Sequence, residues 1–266
     1  MPLLRAFSTL GCPELGADQV FALARSHGLS AIELRALGGS LDLPAALVRA
    51  FGTPKGLASA VSAARLGVVS LDTSFRLVGG SPDDREALLA HGDWAEAAGV
   101  PSLRVFDGGR EAGEPFFEEA KQTLAWWSEV RRSRGWSVDL AIETHDLLVT
   151  SERILEAVHH MPGARIVWDS HHTWRLGGED PIATWNRIAP WVAQIHVKDS
   201  RLVAGAALPY SYVLPGAGDF PARALLDRLE RDNFSGAVSL EWERLWHPSL
   251  PPLDEALAAA SRSWWG

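Results

Sequence analysis

The sequence of 266 residues predicts a single (β/α)₈ TIM barrel, an α/β fold, over residues 1–266. Short apolar runs alternate with longer amphipathic segments along the whole chain, which is the pattern of repeated β-α units. The runs are rich in Val, Ile and Leu without strict alternation, as expected for parallel strands covered on both faces. Polar residues recur where these runs end, and a barrel brings such strand ends together on one face.

Eight runs have the length and composition of buried strands, and no linker or low-complexity tract divides them. We therefore expect one domain. The predicted strands are Leu4–Leu10, Ala31–Arg35, Val68–Thr73, Ser102–Asp107, Asp139–His145, Arg165–Asp169, Val192–Asp199 and Ala237–Glu243.

The segments between the strands carry helix start and stop signals. Ser81-Pro82 combines an N-cap residue with a proline at the first helical position, and Gly99 ends that helix. A long helix is predicted from Glu114-Pro115 to Gly135. Further helices are predicted from Asp18 to Gly28, from Thr150 or Ser151 to Met161-Pro162-Gly163, and after Phe220-Pro221 and Pro251-Pro252.

Composition excludes several classes of partner. The 33 acidic and 25 basic residues give a net charge of -8, whereas a protein that follows a phosphate backbone needs a basic surface. No apolar run approaches the roughly 18–20 residues that span a bilayer, and the N-terminus lacks signal-peptide features. Cys12, the single cysteine, cannot form an internal disulfide. We expect a cytoplasmic protein that binds neither nucleic acid nor membranes.

Tryptophan is abundant, with 12 residues in the chain. We expect Trp126-Trp127 and Trp264-Trp265 to pack in the core or in an interface, which is compatible with a homo-oligomer. A tryptophan near a strand end is also a candidate wall of a sugar site, because the apolar face of a sugar ring stacks on aromatic rings.

Charged or imidazole side chains lie at or near the carboxyl end of seven predicted strands. In a barrel these ends converge, and active sites are built there from residues far apart in sequence. Strand ends also meet water, so a single such residue has an ordinary explanation. Seven in register are harder to explain in that way. The seven residues are Glu33, Asp72, Asp107, Glu143, Asp169, His196 and Glu241.

The last four of these residues have the chemistry of a metal site. Glu143, Asp169, His196 and Glu241 together offer three carboxylates and one imidazole, a hard donor set suited to Mn²⁺, Mg²⁺ or Co²⁺. Without a thiolate, the set does not resemble structural zinc, although zinc stays possible. The carboxylates would repel one another strongly without a cation.

The same four strands carry five short motifs that resemble a known family. The motifs are ETHD, VWDSHH, IHVKDS, PGAGDFP and SLEWERLWHP, in order between Glu143 and Pro248. They resemble the sugar-phosphate isomerase/epimerase group of xylose isomerase-like TIM barrels, which includes keto-sugar 3-epimerases, inosose dehydratases and the endonuclease IV type of nuclease. The resemblance covers essentially the whole chain. It implies that Glu143, Asp169, His196 and Glu241 bind one divalent metal ion, and that His172 turns toward the substrate.

The resemblance implies carbohydrate chemistry. A divalent ion that chelates a carbonyl and the neighbouring hydroxyl acidifies the adjacent C–H bond and stabilises the resulting enediolate. Glu143 and Glu241 are the predicted catalytic pair, one carboxylate removing the proton and the other returning one. Isomerases, 3-epimerases and keto-polyol dehydratases share this first step, so the four ligands do not choose among them. We prefer proton transfer to a hydride shift, because a hydride shift favours a second metal ion and the chain offers no clear further ligands for one beyond Glu243 and His172.

Three further residues are predicted to bind the substrate, each with an alternative. Glu33 is one, unless it pairs with Arg35, and Lys198 is another, unless it pairs with Asp199 or Asp169. His145 is expected to face the pocket.

Three other polar residues are expected to have structural roles. Glu243 is assigned to a pairing with Arg244. His171 and His27 are expected at the surface or at helix ends.

Two other functions are weighed against a sugar isomerase or epimerase. An endonuclease IV-like enzyme needs histidines at the ends of strands three and four, where this chain has Asp72 and Asp107. It also needs an Asp-x-His pair in the seventh β-α loop, where this chain has Pro215–Phe220. A barrel that binds a sugar without turning it over is the other alternative, because fold alone does not settle function. Gly216-Ala217-Gly218 is only a weak phosphate signal, so free sugars, sugar phosphates and inososes all stay open.

Overall fold

The computed structural model describes residues 2–109, 111, 113–203 and 210–265. Eight parallel strands form one sheet: β1 (Leu4–Phe7), β2 (Ala31–Leu34), β3 (Gly67–Arg76), β4 (Ser102–Phe106), β5 (Asp139–Glu143), β6 (Arg165–Asp169), β7 (Val192–Val197) and β10 (Ala237–Leu240). Their order in the sheet is β1-β10-β7-β6-β5-β4-β3-β2. A parallel bridge between Ser8 and Glu33 joins the first strand to the second, so the sheet is a nearly closed barrel. The predicted (β/α)₈ barrel is confirmed.

Helices surround the sheet and begin at the expected capping signals. Ser81 Oγ accepts the backbone N–H of Asp84, whose carboxylate accepts the backbone N–H of Ser81 in return. Gly135 ends its helix at φ 67°, a left-handed conformation that favours glycine. The helices are α1 (Ala17–Ser26), α2 (Leu43–Phe51), α3 (Pro54–Ala64), α4 (Pro82–Ala97), α5 (Glu114–Arg134), α6 (Ser151–His160), α7 (Ser170–Arg175), α8 (Pro181–Ile188), α9 (Ala222–Arg231) and α10 (Leu253–Ser263), with short 3₁₀ helices at Thr9–Gly11 and Ala189–Trp191.

Two insertions depart from a plain repeat. Both α2 and α3 lie between β2 and β3, and each begins at a capping residue, Asp42 or Thr53, followed by a proline. After β7 the chain forms an antiparallel hairpin of β8 (Asp199–Leu202) and β9 (Tyr210–Val213). Asp199, predicted to end the seventh strand, therefore begins the hairpin instead.

Several strands end earlier than predicted. The first strand stops at Phe7 and the last at Leu240, so Glu241 lies just beyond a strand end and not inside one. The fifth strand ends at Glu143. Apolar composition continues past these points because the first loop residues are themselves buried, and hydrophobicity alone cannot mark the last ladder hydrogen bond.

Apolar side chains fill the layer between the barrel and its helices, while the barrel interior is polar. Trp127, Trp168 and Trp242 are fully buried, and the C-terminal Trp264 and Trp265 are buried as predicted. Along β7 the side chains alternate: Ile195 and Val197 belong to the apolar layer, whereas Gln194 and His196 contact interior groups. None of the described helices is long and apolar enough to cross a membrane.

Candidate active site

The four predicted ligand residues converge at the carboxyl end of the barrel. Glu143 and Asp169 are the last residues of β5 and β6, His196 is next to last in β7, and Glu241 follows β10. One potential ligand atom from each lies within 4.8 Å of the others, and all four side chains are buried. Parallel strands with matched register place these positions on adjacent strands at one depth.

The backbone next to Asp169 fixes the direction of its carboxylate. Asp169 is the N-cap of α7, and its Oδ1 accepts the backbone N–H groups of His171 and His172 at 2.9 Å each. The second oxygen, Oδ2, is thereby turned toward the cluster. It lies 3.1 Å from Nδ1 of His172 and 2.8 Å from Nζ of Lys198.

Lys198 lies among the carboxylates as a buried cation. Its Nζ is 2.6 Å from Glu241 Oε2 and 2.6 Å from Glu243 Oε1, in addition to its contact with Asp169. Burial alone would lower the pKa of Lys198, but these three carboxylates raise it well above its usual range. The structure therefore contains the pairing of Lys198 with Asp169 that was the alternative to a substrate contact. The expected pairing of Glu243 with Arg244 is wrong, because Glu243 contacts Lys198 and Arg244 contacts Glu14.

Arg104, a residue that the sequence analysis missed, supports the other side of the cluster. Its Nε lies 3.2 Å from Glu143 Oε2 and its Nη2 lies 3.6 Å from Asp72 Oδ2. The sequence does contain a signal for this position, because Arg104 lies between the apolar residues Leu103 and Val105 in a short strand. Side chains alternate along a strand, so an arginine between two residues of the apolar layer points into the barrel. The guanidinium positions the Glu143 carboxylate.

Glu33 lies deeper in the barrel, on the far side of the His196 ring. Its Oε2 is 3.1 Å from His196 Nε2 and also accepts a hydrogen bond from the Gln194 amide. Burial and the nearby Glu33 carboxylate raise the pKa of Asp72 well above its usual range, so both oppose ionisation of Asp72. The predicted contact of Glu33 with substrate stays a prediction. Its contact with Arg35 is not formed, since no Arg35–Glu33 ion pair exists among the described residues.

The donor chemistry of the cluster fits a divalent cation. Glu143 Oε2 and Asp169 Oδ2 are buried and accept no well-aligned hydrogen bond from the described residues, although Arg104 and Lys198 lie within ion-pair distance of them. Oxygens with this spare acceptor capacity in a protein interior are suited to coordinate a cation. The donor set of carboxylate oxygens and one imidazole nitrogen is the one that Mn²⁺, Mg²⁺ and Co²⁺ accept, and zinc also binds it.

The two predicted catalytic carboxylates are held in their charged form. Burial would raise the pKa of Glu143, but the Arg104 guanidinium lowers it. Burial would likewise raise the pKa of Glu241, but Lys198 and then His196 lower it well below its usual range. Both groups are therefore bases at neutral pH.

A narrow cleft of about 40 Å³ opens above the cluster. His145 and His172 line it, with their ring centroids 5.1 Å apart. Trp246, with 55% of its surface exposed, lies at the same cleft and provides an aromatic wall. Arg35, Phe106 and Leu10 complete this part of the lining.

Three of the other polar residues considered in the sequence lie outside the cluster. Asp107 Oδ2 accepts backbone N–H groups of the loop that follows β5, including Leu148 at 2.7 Å, so its role is structural. His171 lies in the first turn of α7, as a helix-end residue, but it is buried and not at the surface, and its Nε2 lies 2.7 Å from Ser200 Oγ. His27 caps the end of α1, as expected of a helix-end residue, and contacts Asp254.

Comparisons with known proteins identify the family of the chain and solved structures with the same fold. The profile of the family described as "Xylose isomerase-like TIM barrel" matches residues 21–265. The probable 3-DHS dehydratase AsbF from Bacillus anthracis aligns with a TM-score of 0.75 and 17% identity, covering 98% of this chain and 99% of that chain. The IolI protein with a bound zinc atom aligns with a TM-score of 0.72 and 18% identity, covering 98% of this chain and 96% of that chain. A D-tagatose 3-epimerase-like protein aligns with a TM-score of 0.71 and 14% identity, covering 98% of this chain and 95% of that chain. No curated protein sequence matches the chain.

Proposed function

The chain belongs to the xylose isomerase-like TIM barrel family. We propose that it is a divalent-metal-dependent isomerase or epimerase of a small carbohydrate. In this proposal Glu143, Asp169, His196 and Glu241 hold the cation, with Mn²⁺, Mg²⁺ or Co²⁺ preferred. The substrate is a sugar or sugar derivative that carries a carbonyl next to a hydroxyl. The reaction is a proton transfer at the carbon beside that carbonyl.

One observation carries the proposal: the carboxylates of Glu143 and Glu241 both contact a single ring nitrogen. Nδ1 of His196 is 3.3 Å from Glu143 Oε1 and 3.4 Å from Glu241 Oε2. Glu143 ends β5 and Glu241 follows β10, and these two strands flank the strands of Asp169 and His196 in the sheet. In the proposal, a ligand bound over the cluster has one carboxylate toward each of its faces.

The proposed chemistry divides between these two carboxylates. A divalent cation bound to the cluster would polarise the substrate carbonyl and acidify the neighbouring C–H bond. Glu241, ionised and held by Lys198, takes the proton from that carbon on one face. Epimerisation requires that Glu143, after taking a proton from solvent, gives it to the same carbon on the opposite face, while Glu241 later releases its proton to solvent. Isomerisation instead requires that Glu241 gives its proton to the neighbouring carbon of the enediolate, while the proton of the hydroxyl on that carbon moves to the original carbonyl oxygen. Arg104 holds Glu143 in place for this step.

Three of the four predicted substrate-binding residues, His172, His145 and Lys198, have a role in the proposal. His172 and His145 line the cleft, and in the proposal they donate hydrogen bonds to substrate hydroxyls. Lys198 is proposed to stabilise negative charge that develops on a substrate oxygen, because its ammonium is buried beside the carboxylates. Trp246 is a candidate surface for stacking the apolar face of a sugar ring.

Dehydration of a keto-polyol is the second candidate, and His145 is the observation that favours it. After the same proton abstraction, loss of water needs an acid that protonates the departing hydroxyl. The His145 ring lies at the cleft, and its Nδ1 is 3.0 Å from the carboxylate of Asp146. Its Nε2 has no hydrogen-bond partner among the described residues, so this nitrogen is proposed as the acid. The likeness to a protein described as a probable 3-DHS dehydratase is compatible with this candidate.

Turnover in deuterated water tests the proposal and separates the candidates. The metal-loaded enzyme is incubated with a panel of ketoses, sugar phosphates and keto-polyols, with and without EDTA, and the products are analysed by mass spectrometry. Proton transfer places solvent deuterium on the carbon beside the carbonyl, whereas dehydration gives a product lighter by one water. A product without deuterium after many turnovers would replace proton transfer with a hydride shift. No turnover of any substrate would favour a barrel that only binds a sugar.

A further inference from the structure

Arg35 lines the candidate active-site cleft as a buried cation that has no carboxylate partner. Its side chain is only 4% exposed and is one of the groups facing the cleft. Among the residues that the structure describes, no carboxylate oxygen lies within 4.0 Å of its guanidinium. Asp72, Glu143 and Glu241 act on it only over a longer range.

The other two cations of the cluster are paired. Arg104 has the carboxylates of Asp72 and Glu143 at 3.6 Å and 3.2 Å. Lys198 has three carboxylate oxygens within 2.8 Å. Arg35 therefore differs from Arg104 and Lys198 in having no carboxylate partner among the described residues. This difference is important because an unpaired buried charge is far more costly than a paired one.

The position of Arg35 is fixed before any ligand arrives. Its backbone N–H donates to Thr9 Oγ1 at 2.9 Å, which holds the chain where β2 ends. Its Nη2 donates to Ser74 Oγ at 2.9 Å, which orients the guanidinium. Further N–H donors of the planar group are left for a ligand, and a preorganised guanidinium is well suited to bind oxyanions in a forked geometry.

We propose that Arg35 binds an anionic substituent of the substrate, a carboxylate or a phosphate, at the edge of the cleft. The inference rests on the proposed function and deepens it, because it narrows the substrate from carbohydrates in general to acidic ones. An anionic substrate would otherwise be repelled by Glu143, Glu241 and Glu243, which line the same cleft. A dedicated cation offsets that repulsion and orients the substrate so that its carbonyl faces the metal ligands.

Binding measurements on the metal-loaded protein test this subsite without requiring turnover. Isothermal titration calorimetry compares fructose, fructose 6-phosphate and 5-ketogluconate, which are a neutral, a phosphorylated and a carboxylated keto-sugar. Arg35→Met removes the charge and keeps an unbranched side chain, while Arg35→Lys keeps the charge and loses the fork. We expect Arg35→Met to weaken binding of the preferred acidic sugar by about 10- to 100-fold, with Arg35→Lys in between and fructose within about twofold.

Arg49→Met is the matched control, because it removes an exposed arginine from the last turn of α2 and lowers the net charge equally. It should leave all three affinities unchanged. The acidic sugar that loses affinity in Arg35→Met identifies the anion as phosphate or carboxylate. Equal loss for fructose and both acidic sugars, or no loss for any, would overturn the assignment. Acidic sugars that bind through Arg35 but are never turned over would instead count against the proposed function alone.

Discussion

The Nε2 atom of His196 lies 3.1 Å from Oε2 of Glu33, while Nδ1 of the same ring faces Glu143 and Glu241. The imidazole therefore has one nitrogen toward the proposed metal ligands and the other toward a buried carboxylate. Burial would lower the pKa of His196, but Glu33, Glu241 and Glu143 raise it well above its usual range. A cation that bound Nδ1 would displace the proton there, and Glu33 would accept the proton that stays on Nε2. Glu33 is thus a positioning residue for the candidate metal centre.

We expect Glu33→Gln to weaken metal binding by about 10- to 100-fold, because a neutral amide oxygen accepts the Nε2 proton of His196 less strongly than a carboxylate does and leaves the ring a weaker ligand. Calorimetry with Mn²⁺ or Co²⁺ measures the affinity. Asp107→Asn is the control, since Asp107 is a buried strand-end carboxylate that binds only loop backbone groups. It should lower Tm and leave the metal affinity unchanged. Similar metal affinities for Glu33→Gln and the natural protein would contradict this role.

Divalent metal should stabilise the fold through the four converging side chains. Ligand that binds only the folded state raises the free energy of unfolding, so saturating Mn²⁺ or Co²⁺ should raise Tm by about 5 °C or more. Asp169→Asn should remove most of that increase, because it deletes the charge of one ligand while Oδ1 can still cap α7. Asp83→Asn, an exposed carboxylate on α4, should respond to metal like the natural protein. Identical responses of both variants would refute the site.

Glu241→Gln should reduce turnover by on the order of 10²- to 10⁴-fold, because the amide cannot accept the substrate proton. His172→Ala should raise KM more than it lowers kcat, since His172 lines the cleft and contacts Asp169 without being one of the four converging ligands. Steady-state kinetics together with the metal content of each variant separates the two effects. If Glu241→Gln kept most of its activity with metal bound, the catalytic role would be assigned to the wrong residue.

Stability should fall in mild acid because of His91. Burial lowers the pKa of His91 from 6.5 to about 4. Between these values the unfolded chain binds a proton that the folded protein does not, so the free energy of unfolding rises with pH over this window and levels off above about pH 6.5. At pH 5 the contribution is about 1–2 kcal/mol of lost stability. Urea unfolding at pH 5 and pH 7 measures the free energy of unfolding of the natural protein and of His91→Gln. If this free energy changed equally with pH in both proteins, the assignment of the effect to His91 would be wrong.

Some features could be predicted from the sequence because their signals are local. Each barrel strand is a short apolar run bounded by turn residues, and helices such as α4 and α5 begin and end at their own capping residues. The polar residues that close successive strands repeat with the β-α unit, so their convergence followed once a barrel was inferred. Local signals also existed for α2 and α3, whose caps at Asp42 and Thr53 were not used.

Only the tertiary structure decided which of these polar groups meet. Glu33 and His196 are 163 residues apart, and their contact across the interior depends on closure of the barrel between its first and second strands. Pairing of β4 with β5 places Arg104 against Glu143, and Arg35 lies at the cleft without a carboxylate among the described residues within ion-pair distance. The alternation of residues along a strand fixes the face of the sheet on which each side chain lies. The side chains that it contacts belong to other strands, and their register and distance are set only when the barrel forms. The sequence therefore determined the donor set, while the fold determined its pairing.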